Sequence, residues 1–242
     1  MKLCFLGTRG EIEARSRSHR RHSVLQVSHR RRALLIDCGR DWLGALPHVD
    51  AEALLLTHAH PDHAAGLRAG CPWPVHASEE TWSALSRYPL HERRLVRPGH
   101  HEQIAGMSVE AFPVEHSLRA PALGYRIAAG RSVVFYAPDL VAVDGLGDAF
   151  GGLDLYVGDG AAIGRSIVRY RARKPIGHAS IRVQLDWCAQ HGVGRAVFTH
   201  CGSEILRDER AAAARVAALG AERGVRASIA HDGLELVVPG RT

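Results

Sequence analysis

The chain is poor in cysteine, with five in 242 residues, and no two of them form a Cys-x-x-Cys pair. Cys4, Cys38, Cys71, Cys188 and Cys201 are odd in number and scattered, which excludes a zinc knuckle or a redox couple of that type and favours a reducing compartment. Also missing is any stretch near the roughly 18 apolar residues of a membrane span. The opening Met-Lys-Leu-Cys-Phe-Leu-Gly is too short an apolar run for the core of a secretory signal. A cytoplasmic protein with no membrane contact is therefore expected. The chain has no repeat of fixed period and no feature that marks a second domain, and its 46% hydrophobic content can fill a sizeable core, so residues 1–242 are read as one domain.

Net charge is absent everywhere except in one segment. Residues 9–32 hold eight arginines against Glu11 and Glu13, a local balance of 8 − 2 = +6. The remainder carries 31 − 8 = 23 basic and 25 − 2 = 23 acidic residues and is neutral. A basic patch confined to one place attracts anions to that place, and phosphate is the obvious candidate. Arg30, Arg31 and Arg32 read as a solvated hairpin tip. Arg15, Arg17, Arg20, Arg21 and His22 lie in a long connection between strands, where functional loops concentrate, and are the predicted substrate-binding residues.

What the chain does have is a dense run of metal donors. Residues 53–66 begin as the apolar Ala-Leu-Leu-Leu and end in His58, His60, Asp62 and His63, with Pro61 interrupting regular structure among them. A short, wholly apolar run predicts a strand buried on both faces, so these donors sit on a loop at a strand end. One loop cannot comfortably wrap four donors round a single ion, so two adjacent cations of the zinc or manganese type are expected. Three later positions repeat the pattern of a polar donor just past an apolar strand: His116, Asp139 and His200. If these strands share one sandwich, their ends bring seven donors to one edge.

The remaining pattern fills in the scaffold. Strands are predicted at 2–6, 23–28, 33–37, 52–56, 74–76, 107–114, 122–128, 131–136, 153–158, 196–199, 227–230 and 234–238. Helices are predicted at 41–46, 64–69, 78–87, 180–190 and 204–223. Ser78 is a cap with Glu79 and Glu80 behind it, Ile181, Leu185 and Cys188 mark one helical face, and Gly224 is a suitable stop. The expected class is α+β, with two sheets face to face and helices on both outer surfaces, a four-layer αββα sandwich.

His-x-His-x-Asp-His with a downstream His, Asp and His resembles the metallo-β-lactamase fold superfamily, over Gly7 to Val238. Val114-Glu115-His116-Ser117, Lys174-Pro175-Ile176-Gly177-His178, Phe198-Thr199-His200-Cys201 and Ala230-His231-Asp232-Gly233-Leu234 resemble its phosphodiesterase branch, which includes RNase Z and the phosphoribosyl cyclic phosphodiesterases. The resemblance implies one metal on His58, His60 and His116 and another on Asp62, His63 and His200. Asp139 and a hydroxide would be shared between them. Zn²⁺ is the first expectation for both ions, with Mn²⁺ or Fe²⁺ accepted by the same donors. His178 matches the branch's non-ligand histidine, so it is expected as general acid or oxyanion stabiliser, and with Asp62 it forms the expected catalytic set. Asp159 is expected beside the site, as partner of a ligand histidine. His231 is read as peripheral, and His19 and His22 as loop residues.

Three departures from relatives narrow the function. His116 and Asp139 are 139 − 116 = 23 positions apart, which leaves no room for the substrate-gripping arm of many RNase Z enzymes. Residues 8–22 lack the cysteines of the extra zinc site found in the cyclic phosphodiesterases, and Glu115-His116-Ser117 stands where lactamases and glyoxalase-type hydrolases have Gly-His-Thr. The expectation is a dinuclear phosphodiesterase in which the shared hydroxide attacks phosphorus, nuclease-like on DNA or RNA. A small cyclic nucleotide or sugar phosphate is the alternative substrate. Thioester or lactam hydrolysis and a non-catalytic nucleotide sensor are the rival activities. By analogy with relatives, a homodimer is expected.

Overall fold

The computed structural model describes residues 1–240; Arg241 and Thr242, which close the expected 1–242 domain, lie outside the described residues. Two sheets organise the chain. The first is built from β1 (Lys2–Gly7), β2 (Val24–His29), β3 (Arg32–Ile36), β4 (Ala53–Leu55), β5 (Val75–Ala77) and β6 (Arg93–Leu95). The second takes β7 (His101–Ile104), β8 (Met107–Glu115), β9 (Ala122–Ala129), β10 (Ser132–Tyr136), β11 (Ala142–Val143) and β12 (Leu155–Asp159). A separate hairpin of β13 (Ile167–Arg171) and β14 (Lys174–His178) follows, then β15 (Arg195–Thr199) and β16 (Arg226–Ile229) return to the second sheet. The last strand, β17 (Leu234–Val237), crosses back to pair with β1, Lys2 opposite Val237. The two sheets are therefore not the two halves of the sequence.

Side-chain alternation explains the layering. Along β3, Leu34 and Ile36 face the second sheet and Leu35 faces outward, as the two-residue period of a strand requires. Leu3, Phe5, Leu34 and Leu55 meet Val109, Tyr125, Val134 and Leu155 between the sheets. Outside the second sheet, Phe135, Tyr156 and Phe198 pack on Leu185 and Val216 from helices Ile181–Gln190 and Glu209–Ala221. Outside the first, Leu35, Leu54 and Leu56 cover Trp42, Leu67 and Leu85. Three apolar interfaces make four layers, and the αββα sandwich is the observed architecture.

Several boundaries differ from expectation, each for a local reason. The predicted helix at 41–46 is two 3₁₀ turns, Arg40–Trp42 and Leu46–His48. The long helix predicted at 204–223 is broken at Asp208, whose backbone is extended and whose side chain accepts from Ala211 N at 2.9 Å to start a second helix. Pro61 does not merely interrupt structure: it opens the helical turn Pro61–Ala64, so Asp62 and His63 are helical and not in a loop. The hairpin β13–β14 is absent from the sequence reading because its arginines hide the alternation.

The connection from Thr8 to Ser23 is held by two carboxylates. Asp41 accepts from Arg9 Nη2 at 2.6 Å, Arg15 Nη2 at 2.9 Å and the His22 backbone N–H at 3.0 Å. Asp232 accepts from the backbone N–H groups of Arg20 and Arg21 at 2.9 and 3.1 Å and from Thr8 Oγ1 at 2.7 Å. His19 and His22, read as loop residues, lie in the connection but are buried in it: His19 Nδ1 is 2.8 Å from Thr8 Oγ1 and His22 Nδ1 is 2.8 Å from Asp41. The Arg9 side chain is only 3% exposed, so Asp41→Asn strands a buried charge. We expect a loss of about 3–5 kcal/mol in chemical denaturation, since breaking a buried pair leaves its partner uncompensated.

Candidate metal centre

The Ala53–Leu55 strand lies between β3 and β5, buried on both sides, and delivers residues 57–63 to one edge of the sandwich. That edge is closed from the other sheet: Thr57 O accepts from Leu123 N at 3.0 Å, and Leu56 O from the buried Tyr125 hydroxyl at 2.5 Å. A third loop presses on the donors from β3. Cys38 N donates to His63 O at 2.6 Å, and a Cβ on Gly39 would stand 2.0 Å from Asp62 O, so only glycine allows this approach.

The structure gathers all seven predicted donors into two groups that share Asp139. The first is His58, His60, His116 and Asp139; the second is Asp62, His63, Asp139 and His200; within each group one donor atom per residue lies within 4.8 Å of the others. His58 Nε2 is 2.9 Å and His116 Nε2 3.2 Å from His60 Nδ1. Both sit at 3.4–3.5 Å from Asp139 Oδ2. In the second group, His63 Nε2 is 3.2 Å from Asp62 Oδ2 and 3.1 Å from Asp139 Oδ2, and His200 Nε2 is 3.0 Å from Asp62 Oδ2.

Proton accounting shows why cations fit here. His58 Nδ1 is held by Thr57 Oγ1 at 3.0 Å and His116 Nδ1 by the Gly177 carbonyl at 3.0 Å. Both rings then aim Nε2 lone pairs at His60 Nδ1, which has one proton to give at most. Burial drives His58 well below the ordinary imidazole pKa and His60 down to about 4, so extra protons do not resolve the conflict. Buried His63 Nε2, Asp139 Oδ1 and His200 Nδ1 likewise lack an aligned hydrogen-bond partner. The donor separations approach the edge, about 3.3 Å, of a tetrahedron with bonds of roughly 2.0–2.1 Å, and imidazole with carboxylate is a zinc-type donor set.

Around this centre stand residues that orient it. Asp37, which the sequence reading treated only as a strand end, accepts from Thr57 Oγ1 at 2.9 Å and from the Thr57 backbone N–H at 2.8 Å, and binds His63 Nδ1 at 2.8 Å. Its φ of +65° is unusual for a non-glycine residue and could have been suspected from no local pattern. Asp159 differs from expectation in its partner. Its Oδ2 lies 2.8 Å from Nδ1 of His178, the expected non-ligand histidine, and its Oδ1 is 3.9 Å from Nδ1 of His200, and these three with Asp139 form a third group of potential donors. Gln184 fixes Asp159 from beneath, accepting from its N–H at 2.9 Å and donating to its carbonyl at 2.8 Å. Burial works against charge on His178, but the Asp159 carboxylate outweighs it and leaves the imidazole pKa raised.

A cavity of about 640 Å³ opens over the donors, lined by His60, Asp62, His116, Asp139, His178 and His200. Arg165 and Arg169, absent from the sequence-based expectation, also line it, together with Glu11 and Glu204. None of Arg15, Arg17, Arg20, Arg21 or His22 lines it. Arg15 is committed to Asp41, the Arg21 guanidinium lies 4.6 Å over the Trp42 ring, and His22 is buried with its pKa pushed down to about 4. One-dimensional density of arginine says nothing of where the side chains are spent, and here none of the five reaches the cavity.

Comparison with known proteins agrees with this geometry. A family model described as a beta-lactamase superfamily domain matches residues 32–201. Ribonuclease Z of Methanopyrus kandleri is 34% identical over 142 residues, 51% of this chain and 48% of that enzyme, so the match spans about half of the relative. Ribonuclease Z of Mycobacterium bovis is 27% identical over 212 residues, 69% of this chain and 75% of its own length. Among solved structures, the metallo-beta-lactamase fold protein YhfI from Bacillus subtilis superposes with a TM-score of 0.73 at 17% identity, covering 97% of this chain and 98% of its own.

Two outcomes test the centre. Asp37→Asn should lower zinc affinity about 10- to 100-fold in chelator competition without removing a donor; unchanged affinity would show that Asp37 does not orient the site. Burial disfavours a proton on His200, but Asp139 and Asp62 lift its pKa to about 10, so the metal-free protein holds protons that a cation must displace. Zinc loading should therefore release protons and weaken as pH falls, as calorimetry in two buffers of different ionisation heat would read.

Proposed function

The chain belongs to the β-lactamase superfamily, and from that premise we propose that it is a metal-dependent phosphodiesterase, nuclease-like on RNA or DNA. The observation that carries the reading is the sharing of Asp139 between two donor groups beside His178, in a cavity that Arg165 and Arg169 also line. Phosphoryl transfer needs charge stabilisation on both sides of an in-line displacement, and a two-ion arrangement is suited to it. Similarity to ribonuclease Z enzymes supports the same class.

His58, His60 and His116 with Asp139 would hold one divalent ion, and Asp62, His63 and His200 with Asp139 the other. Bound there, the pair would supply Lewis acidity toward the phosphoryl oxygens and lower the pKa of the attacking water. Zn²⁺ suits the imidazole-rich set, ahead of Mn²⁺ or Fe²⁺. Asp62 lines the cavity and would take the proton of that water. Its partner on the other side of phosphorus is His178. Asp159 holds Nδ1 of His178, which fixes the tautomer and leaves Nε2 to deliver a proton to the leaving oxygen. Arg165 and Arg169 would draw the phosphodiester into the cavity. The domain is taken as one unit over 1–242, acting in the cytoplasm, with a homodimer as the assembly.

The test is a panel of bis-p-nitrophenyl phosphate, a chromogenic cephalosporin and a glutathione thioester, with bound metal quantified for each preparation. Turnover of the phosphodiester alone is expected; activity confined to the thioester or the cephalosporin, or none with both ions bound, defeats the reading. His178→Ala should keep both metals and lose at least about 100-fold in kcat. His200→Ala should lose metal.

A further inference from the structure

The hairpin β13–β14 is the one element that the proposed chemistry uses only at its base. Ile167 pairs with His178, Arg169 with Ile176, and Arg171 with Lys174. Strand alternation puts Ile167, Arg169 and Arg171, with His178 and Lys174, on one face, while Val168 and Tyr170 take the other. Ile167, Arg169 and His178 line the cavity, so this face continues outward from the candidate active site. From His178 to the tip is about 13 Å, four residues at about 3.3 Å each.

Three features of this face call for a ligand longer than one phosphodiester. Arg169, Arg171, Arg173 and Lys174 are exposed, and among the described residues none of them makes an ion pair. Ile167 is an exposed apolar side chain, 51% accessible, beside His178. The turn at the tip is made by Ala172 and Arg173, both left-handed at φ +49° and +64°. Arg173 thus presents an exposed cation at the tip, in a turn that Asn-Gly would take with less strain. The base is tied to the domain, because Gly177 N donates to His116 O at 2.9 Å and Ala179 N to Leu140 O at 2.6 Å. A Cβ on Gly177 would meet Ile167 O at 1.9 Å, so the crossing depends on glycine there.

We infer that this face is a track for the leaving strand of a single-stranded polynucleotide. The inference rests on the phosphodiesterase reading above. His178 delivers its proton to the leaving oxygen, so the fragment that departs begins at the base of the hairpin and runs along Arg169, Arg171 and Lys174. Ile167 supplies an apolar surface for the first nucleoside, and the cations neutralise successive phosphates. A small diester has a single phosphate, which is used at the metal centre, so the tip contributes nothing to it. The proposal places polymer recognition on the hairpin and away from the arginines of residues 15–21.

The test compares the wild type with Arg171→Gln/Arg173→Gln/Lys174→Gln, whose positions are exposed and distant from the donors. Bis-p-nitrophenyl phosphate hydrolysis should be the same within about twofold, which also reports an intact fold and metal centre. On oligoribonucleotides with leaving fragments of one to eight nucleotides, the wild-type kcat/KM should rise with fragment length. The variant should show a flat profile, at least about tenfold lower for the longest fragment. Binding is read separately by fluorescence anisotropy of a labelled 12-nucleotide oligouridylate in EDTA. There the slope of log affinity against log salt should fall by about 2, at roughly 0.7 for each phosphate no longer neutralised. An unchanged slope and an unchanged length profile in the variant overturn the track. A wild type that hydrolyses no phosphodiester but shows the slope difference refutes the activity and keeps the binding surface.

Discussion

Asp139 is the constraint on which the arrangement depends. Its carboxylate sits at the junction of two donor groups, within 3.1–3.5 Å of His58, His63 and His116 through Oδ2 and 2.8 Å from His200 through Oδ1. Six donors packed around this buried carboxylate are stable only if something positive lies among them. In the metal-free protein, protons on His63 and His200 take that part, driven by Asp62, Asp37 and Asp139 against the cost of burial. The same imbalance is what a pair of divalent cations relieves, and it is why the edge of the sandwich is a functional place and not a structural one.

Holding such a cluster open against collapse needs geometry imposed from several directions. The metal loop is hydrogen-bonded to the second sheet through Leu123 and Tyr125 and to the β3 loop through Cys38. Two residues of the region, Asp37 and His200, take positive φ without being glycine. Strain of this kind persists where surrounding contacts over-determine it, and it concentrates at functional sites. His58, His63 and His116 also have the second nitrogen committed, to Thr57, Asp37 and the Gly177 carbonyl, so the orientation of these rings is set before any ligand arrives.

The two arginine-rich segments illustrate how charge is allotted. Residues 9–21 hold the greater density, but Arg9 and Arg15 are paired to Asp41 and Arg21 rests on Trp42, so the segment is largely consumed in fixing its own fold. The hairpin 167–178 holds fewer cations on a two-stranded support, and these remain unpaired among the described residues, with Arg169, Arg171 and Lys174 on the face that extends from the cavity. Free cations on an ordered support are the ones available to a phosphate.

The class of fold and the seven donors were legible in the chain alone, because each donor follows a buried apolar strand and strand ends of one sandwich lie along one edge. Their division into two groups, and the part given to His178, came from the likeness of the motifs to a known superfamily. Asp37, Gln184 and the partner of Asp159 were not legible, since each acts across 19 to 26 positions of chain through contacts no local pattern encodes. Nor did local pattern indicate the cavity-lining Arg165 and Arg169. Whether an arginine is spent on a neighbouring carboxylate or left facing a cavity depends on pairing in three dimensions, and the packed chain alone supplies that.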